Sequence, residues 1–530
     1  MAEAHRWTNG RVFTGRRYVR ALLAEAGRIT AAGAEEEVAR AAPTGTEVHD
    51  LAGHLLLPGL IDAHLHIADL THYREGLDLQ GLPSIPALRE RLREWAVAHP
   101  VGAIVGRGWH VEQFVEGRAP NRDDLDKASA ERPVILVHAS GHSVAVNSRT
   151  LVLAGLAPSA EDPPGGRVGR NSDGTPNGLL YEEAMRPVTA LASASAPPEA
   201  AALARTLWFA ASWGLTTVAT MSTSPEELAA LRSLAETGGL PVRVRAYVRL
   251  AHLESFAPTD LASAGPDGFF GVPGAKAFAD GAFGPRTAWL SEPYADAPEE
   301  FGVPVGTEEG LSAAIATAVG RGLAPAVHAI GDRAVERAAR LVEPWVGATR
   351  APVRIEHAAL TPPGCLPTLD RVRPTLVVQP GFVWSDAWLP QRLGPARARW
   401  AYAFRTLADR GHRLAGSSDA PYDPIDPWRA LAACVVRSDP QGRSANPNPA
   451  EAIPAEEATL LYTANAGRAL GEPDLGLLEA GARADLVRTR TIDLSLALAR
   501  GASVVEETWV AGRLLRPGTI PTESNGQTLG

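Results

Sequence analysis

Eight short apolar runs of strand length, many of them separated by helical stretches, constrain the fold of this chain more than any other feature. Strand and helix alternating eight times predict an α/β fold of one kind, a distorted (β/α)8 TIM barrel. The competing architecture is an open doubly wound sheet, but no G-x-G-x-x-G follows a strand, so a dinucleotide-binding fold is unsupported. The predicted barrel strands are Leu55–Ala63, Leu215–Met221, Val242–Leu250, Val272–Asp280, Leu323–Ala329, Pro352–Ala358, Thr375–Pro380 and Arg413–Asp419.

The spacing of these runs also predicts how the chain is divided. The first two strands are about 150 residues apart, far beyond a normal crossover. We therefore predict an insertion at about 70–195 that rises from the C-terminal face of the barrel, where insertions usually cover active sites. Both ends of the chain carry further β-like runs, so residues 1–57 and 474–530 are predicted to form a small β-sandwich around a barrel at 58–473.

Bulk composition excludes several classes of protein. The net charge of −9, without a basic cluster, argues against nucleic-acid binding. The two cysteines, Cys365 and Cys434, cannot make a disulfide framework and indicate a reducing compartment. The N-terminus has no long apolar signal region, and no apolar run approaches about 18 residues, so we expect a cytoplasmic protein that does not span a membrane.

Lysine usage is unusual. Only Lys127 and Lys276 are lysines among the 51 basic residues, a bias towards arginine under which a retained lysine is more often needed as lysine. Lys127 lies in a charged stretch and is interpreted as an ordinary surface residue. Lys276 lies in an apolar strand, where a lysine is costly to bury unless it is paired or neutral.

Metal-ligating residue types follow several of the predicted strands. The first strand leads into a His-x-His pair, whose rings leave the strand side by side because residues two apart face the same way. Neutral imidazole is the commonest metal ligand, and barrel chemistry occurs at the C-terminal ends of strands. Two satisfied core histidines are the alternative for the pair alone, but the joint placement favours a metal site. The candidates are His64, His66, Lys276, Asp280, His328, His357 and Asp419.

At these motifs the chain resembles the amidohydrolase superfamily of metal-dependent hydrolases, and within it amidohydrolase family 3, which includes N-substituted formamide deformylases. The resemblance implies that His64 and His66 hold one Zn²⁺ with Asp419, and that Lys276 carries a carbamate bridging to a second Zn²⁺ held by His328 and His357. One or two ions are compatible with the superfamily. A neutral lysine amine can add CO2, whereas arginine stays protonated. The alternative for Lys276 is a buried ion pair with Asp280. The motifs are Pro58–His66, Gly141–Ser143 with Val146–Ser148, Lys276 with Asp280-Gly281, His328–Asp332, Arg354–His357 and Ser418–Pro421.

The chemistry implied is attack of a metal-bound hydroxide on a carbonyl carbon. Asp419 is the predicted general base, which takes the water proton and delivers it to the leaving nitrogen; simple metal ligation is its other, compatible role. His142 is predicted to polarise the scissile carbonyl from the insertion, with a structural histidine as the alternative. We expect an ion pair within its loop for Arg286, or else binding of a carboxylate. The predicted apolar pocket wall consists of Trp109, Phe283, Trp289 and Trp384. The alternative is that these aromatic residues are ordinary members of the core.

The sequence therefore predicts a zinc-dependent hydrolase that cleaves a C–N bond, and the resemblance alone implies a small linear amide such as an N-substituted formamide as its substrate. Hydrolysis of a cyclic amide, a carbamate or an ester at the same site is the second interpretation. A metal-dependent lyase or isomerase, and a non-catalytic binding protein, come from different classes. A homodimer is possible, although no heptad or interface signature is visible.

Overall fold

Eight parallel strands form the central sheet of the computed structural model, which describes residues 3–139, 143–156, 162–163, 166–185, 187–188, 199–265, 268–438, 448–495, 498 and 504–516. The strands lie in sequential order, so each one pairs with the next along the chain and the predicted barrel is confirmed. The barrel strands are Leu60–Leu65, Leu215–Thr223, Arg243–Arg249, Phe270–Phe278, Ala324–Ala329, Arg354–His357, Thr375–Val378 and Arg413–Gly416.

The first and eighth barrel strands meet without a regular ladder between them in the described part of the sheet. Backbone hydrogen bonds beyond the strand ends join the two sides: the Asp419 N–H donates to the His64 carbonyl and the His66 N–H donates to the Ala420 carbonyl, both at 2.8 Å. We call this junction the barrel seam. The barrel is therefore nearly closed, and the closing contacts are made by the residues that follow the strands.

The predicted strand Leu55–Ala63 is wrong as a single element. Leu55–Pro58 belongs to a terminal sheet, and the barrel strand starts again at Leu60. Gly59 makes the change of direction: its N–H donates to the Asp485 carbonyl at 2.8 Å, and a Cβ there would lie 2.3 Å from the Thr216 hydroxyl. Only glycine fits such a close approach without displacing its neighbour.

Helices cover the outside of the barrel, and several of them begin at conventional capping residues. Ser224, Thr307 and Asp426 each accept backbone N–H bonds at the start of the following helix. The described α-helices are Glu35–Ala41, Ile67–Glu75, Ile85–Ala98, Arg122–Asp126, Ser148–Leu153, Ala200–Ser212, Pro225–Glu236, Glu308–Gly320, Asp332–Val342, Leu366–Val372, Phe382–Ser385, Leu389–Leu393, Pro395–Ala398, Phe404–Asp409, Pro427–Val435, Ala455–Leu461 and Ala464–Ala469.

Two sheets form the predicted β-sandwich, one from the N-terminal end alone and one from both chain ends. Trp7, Leu22 and Leu56 pack with Leu486 and Trp509 in one buried cluster shared by the two sheets. We propose that the barrel between them spans residues 58–473. The four-stranded sheet contains Ala4–Thr8, Ala21–Glu25, Arg28–Gly33 and Glu47–Asp50, and the six-stranded sheet contains Arg11–Phe13, Tyr18–Val19, Leu55–Pro58, Leu486–Thr489, Val505–Val510 and Arg513–Leu514.

The segment between the first and second barrel strands carries a sheet of its own, in line with the predicted insertion. Helices Ile67–Glu75 and Ala200–Ser212 flank it and touch each other, with the hydroxyls of Thr71 and Thr206 at 2.8 Å. The insertion sheet contains Leu77–Asp78, Ile104–Trp109, Val134–His138, Ser143–Val146, Gly166–Arg170 and Pro176–Glu182. Across the described ranges, none of the helices combines the length and the apolar composition needed to cross a lipid bilayer.

Candidate metal centre

The C-terminal ends of the barrel strands bring the predicted ligands into one neighbourhood. The tightest group is His64, His357 and Asp419, whose ligand atoms all lie within 4.8 Å of one another and which are all buried. These residues come from the first strand, the sixth strand and the loop after the eighth strand, so the group spans the barrel seam.

Glu356 fixes the ring of His64. The Nδ1 of His64 lies 2.6 Å from Oε2 of Glu356, and Arg354 donates to both oxygens of that carboxylate at 2.8 and 2.9 Å. Burial raises the pKa of Glu356, but Arg354 and His64 outweigh it and hold the pKa well below its usual range. An ionised carboxylate can only accept, so Nδ1 of His64 carries the proton and the Nε2 lone pair faces the centre.

Gln379 fixes His357 in the same way. Nδ1 of His357 lies 2.7 Å from Oε1 of Gln379, whose amide nitrogen donates to the hydroxyl of Ser417 at 2.9 Å. The amide oxygen therefore accepts the Nδ1 proton, and the Nε2 lone pair of His357 is left for another partner. Burial holds the pKa of His357 well below its usual value, which keeps the imidazole neutral. His357 has φ of +73°, a conformation that costs free energy in a non-glycine residue and is often found at functional sites.

Asp419 presents a buried oxygen to two imidazoles. Its Oδ1 lies 3.2 Å from Nε2 of His64 and 3.3 Å from Nε2 of His66. Among the described residues, Oδ1 has no well-aligned hydrogen-bond donor.

This donor set fits a metal ion. Two imidazole Nε2 lone pairs and a carboxylate oxygen face one another in a buried space. Hydrogen-bond acceptors this close together repel one another unless a cation lies between them. Nitrogen and oxygen donors of these types suit zinc and other divalent transition metals. The residues present therefore fit the metal that the sequence predicts.

Lys276 lies beside this group and is buried. Its Nζ is 3.4 Å from Nε2 of His64 and 5.1 Å from the ring centre of Phe278. Burial lowers the pKa of Lys276 to about 8, against the opposing pull of Glu356 and Asp419. A substantial neutral fraction near neutral pH is the form that reacts with CO2.

His328 lies against the same centre through its ring. The ring centres of His328 and His357 are 4.4 Å apart, and Nε2 of His328 lies 3.0 Å from the Gly281 carbonyl. The oxygens of Asp280 accept backbone N–H bonds from Trp289, Ile330 and Gly331 at 2.8 to 3.0 Å, and Oδ1 also lies 3.6 Å from Nε2 of His328. Asp280 therefore holds together the loops that follow the fourth and fifth strands.

A cavity of about 1040 Å³ opens above the centre, with His357 and Asp419 in its wall. Of the predicted substrate contacts, Trp109, Phe283, Arg286 and Trp384 line it. Arg286 pairs with Asp296 at 3.0 Å, which agrees with the expected loop ion pair. The described wall does not include Trp289, and His142 lies outside the described residues, so the substrate roles of both stay predictions.

The sequence analysis gave no role to Glu356 or Gln379, although both orient ligands. Alternation along the sixth strand carries a signal for Glu356: Arg354 lies two residues before it on the same face, and both side chains are fully buried. A buried pair of opposite charges next to a ligand histidine is a recognisable supporting element. Gln379 follows the end of the seventh strand and carries no comparable pattern.

A metal-dependent hydrolase is the class of protein that this barrel and its ligand set define. Residues 47–516 match the amidohydrolase family, and the chain belongs to that family. The putative amidohydrolase YtcJ of Bacillus subtilis is 33% identical over 83% of this chain and 84% of its own length. The N-substituted formamide deformylase of Arthrobacter pascens is 27% identical over 88% and 89%. An uncharacterised metal-dependent hydrolase from Pyrococcus horikoshii superposes with a TM-score of 0.77 at 28% identity, covering 94% of this chain and 98% of that one.

Proposed function

We propose that this amidohydrolase cleaves the C–N bond of a small linear amide of the N-substituted formamide class. The observation that carries the proposal is the convergence of buried ligand atoms from His64, His357 and Asp419, two of which, His357 and Asp419, line a large cavity. The ligand set proposed for one or two Zn²⁺ ions is His64, His66, Lys276 as its carbamate, His328, His357 and Asp419.

A bound zinc ion would lower the pKa of water and polarise the amide carbonyl. Asp419 carries out the proton transfers: its Oδ1 accepts the proton of the attacking water and then donates it to the leaving nitrogen. Water adds to the carbonyl carbon, the C–N bond breaks, and the products are a carboxylic acid and an amine. Glu356 and Gln379 keep His64 and His357 in the tautomers that leave Nε2 free for the ion.

The substrate class rests on the printed activity of the Arthrobacter relative and on the character of the cavity. Trp109, Phe283 and Trp384 offer apolar surface for the substituent on nitrogen, while a formyl or other small acyl group needs little room beside Asp419. His142 is proposed to donate to the carbonyl oxygen from the insertion.

Metal content tests the centre directly. We would measure zinc by elemental analysis in the native protein and in Lys276→Ala, each prepared with and without bicarbonate. Clearly less zinc in the variant than in the native protein supports a carbamate ligand at Lys276. Equal zinc contents in the two proteins remove Lys276 from the site, and no ion in either overturns the proposal.

Substrate screening tests the bond. Zinc-loaded protein would be offered matched N-substituted formamides, acetamides, lactams, carbamates and esters, with released amine and acid both quantified. Equal amounts of amine and formate, abolished by Asp419→Asn, are the expected result. Turnover confined to lactams or esters contradicts the substrate class while leaving the metal centre intact.

A further inference from the structure

A second group of metal-ligating side chains lies in the insertion, at the wall of the same cavity. It consists of His110, Glu112 and His138, whose ligand atoms all lie within 4.8 Å of one another. All three residues line the cavity that also exposes His357 and Asp419. We call this group the insertion cluster.

Local structure explains why the three side chains converge. Strands Ile104–Trp109 and Val134–His138 are parallel neighbours, with Trp109 opposite His138. A bulge at Gly108, which has φ of +94°, shifts the register there and redirects the residues that follow. His110 then precedes the 3-10 turn Val111–Gln113, which brings the Glu112 carboxylate back onto the His110 ring.

The spacing of the insertion cluster matches that of the barrel centre. The ring centres of His110 and His138 are 5.0 Å apart, and those of His64 and His357 are 5.1 Å apart. The edge of His138 packs on Trp109, with ring centres 4.7 Å apart and planes at 80°, and the indole N–H of Trp109 donates to the Leu136 carbonyl at 2.9 Å. An aromatic wall held in this way limits how far the imidazole can turn.

We propose that His110, Glu112 and His138 bind a divalent transition-metal ion, separate from the ions of the barrel centre. Two imidazoles and one carboxylate are a donor set that zinc accepts with a further position left for water or a substrate group. Because all three side chains line the cavity, an ion held there would be accessible to a substrate in it. The ion would add a second electrophilic group to the cavity wall, able to bind an anionic or carbonyl oxygen of a substrate.

The alternative is that Glu112 and His110 form an ion pair without any metal, since their side chains are already in contact. The two cases differ in metal stoichiometry. Metal-free protein would be titrated with Co²⁺, with bound cobalt measured by equilibrium dialysis and its coordination followed by visible absorption. The variants are Glu112→Gln and Glu112→Gln/His138→Gln.

The matched control is Glu94→Gln/His99→Gln, which removes one carboxylate and one imidazole from exposed positions in the same insertion. We expect the Glu112/His138 double variant to bind about one equivalent less than the native protein and the control to bind the same amount. The single variant is expected to bind that equivalent about tenfold more weakly or worse. Circular dichroism identifies any variant that fails to fold, and the single variant, which alters an exposed side chain, keeps the test valid. Unchanged stoichiometry and affinity in both folded variants overturn the proposal.

Discussion

Oε2 of Glu356 lies 2.6 Å from Nδ1 of His64, and both side chains are completely buried. The same carboxylate receives two hydrogen bonds from Arg354. The guanidinium of Arg354 also donates to the Ala63 carbonyl at 2.7 Å. The charge that orients the histidine is therefore itself anchored by a buried arginine, and the ring of His64 cannot rotate without breaking this network.

Replacing Glu356 by glutamine is expected to weaken metal affinity about 10–100-fold. The amide can still accept from Nδ1, but it lacks the negative charge that raises the basicity of Nε2. Competition with a chromogenic chelator measures the affinity. Glu451→Gln is the control. Glu451 is also a buried glutamate, but its carboxylate accepts from the backbone N–H and the hydroxyl of Thr406 and not from a candidate metal ligand. Equal affinities in the two variants would contradict the orienting role of Glu356.

Metal loading of the barrel centre is expected to depend on CO2 and pH through Lys276. The pKa of Lys276 is lowered to about 8, so its neutral, CO2-reactive fraction rises between about pH 7 and 9. At a fixed CO2 pressure, reconstituted metal content should rise with pH over that range. Lys276→Arg, which stays protonated, should show no response to CO2. A native protein that loads equally well without CO2 would exclude the carbamate.

Asp280→Asn is expected to destabilise the fold by about 2–3 kcal/mol. Asp280 accepts three backbone N–H bonds, and the amide nitrogen of asparagine would face at least one of these donors in a buried site. Urea unfolding measures the loss. Asp296→Asn breaks a partly exposed pairing with Arg286 and Arg392 and should cost less than about 1 kcal/mol. Similar costs in both variants would argue against the three-donor role of Asp280.

Stability is expected to decline from acid to neutral pH because of Glu227. This side chain accepts from the Thr220 hydroxyl at 3.1 Å, and burial raises its pKa from 4.5 to about 7. A raised carboxyl pKa means that the folded state keeps the proton, so the contribution is complete below about pH 4.5 and is lost as pH rises through about 7.

The loss attributable to Glu227 is up to about 3 kcal/mol. Glu227→Gln removes the titration, so the native protein should lose stability relative to the variant between about pH 4.5 and 8. Urea unfolding of both proteins across this range gives the difference. A constant difference over the whole range would show that the pKa of Glu227 is the same in the folded and unfolded states.

The barrel and the convergence of the candidate ligands were predictable because both follow from strand ends. Parallel strands in sequential order place their carboxyl ends on one rim, so His64, His357 and Asp419 can be assigned to a common site without knowing any distance. The orientation of each ring was not predictable in this way. It depends on tertiary partners such as Gln379, which contacts His357 directly, is itself held by the Ser417 hydroxyl and matches no sequence spacing.

The division at Gly59 and the insertion cluster were missed for different reasons. Leu55–Leu65 is continuously buried, and an apolar run gives no sign of where a chain leaves one sheet for another. The convergence of His110 with His138 depends on a bulge at Gly108, and a bulge changes side-chain direction without changing composition.

The barrel seam constrains the order of folding and metal binding during synthesis of the protein. Asp62 and Ser418, which hydrogen-bond across it, are 356 residues apart in the chain. During synthesis the His-x-His pair emerges long before Asp419 exists, so a growing chain lacks one member of the proposed ligand set. On that ligand set, metal capture is expected to follow ring closure, and transient parting of the two ends is the expected route of metal loss.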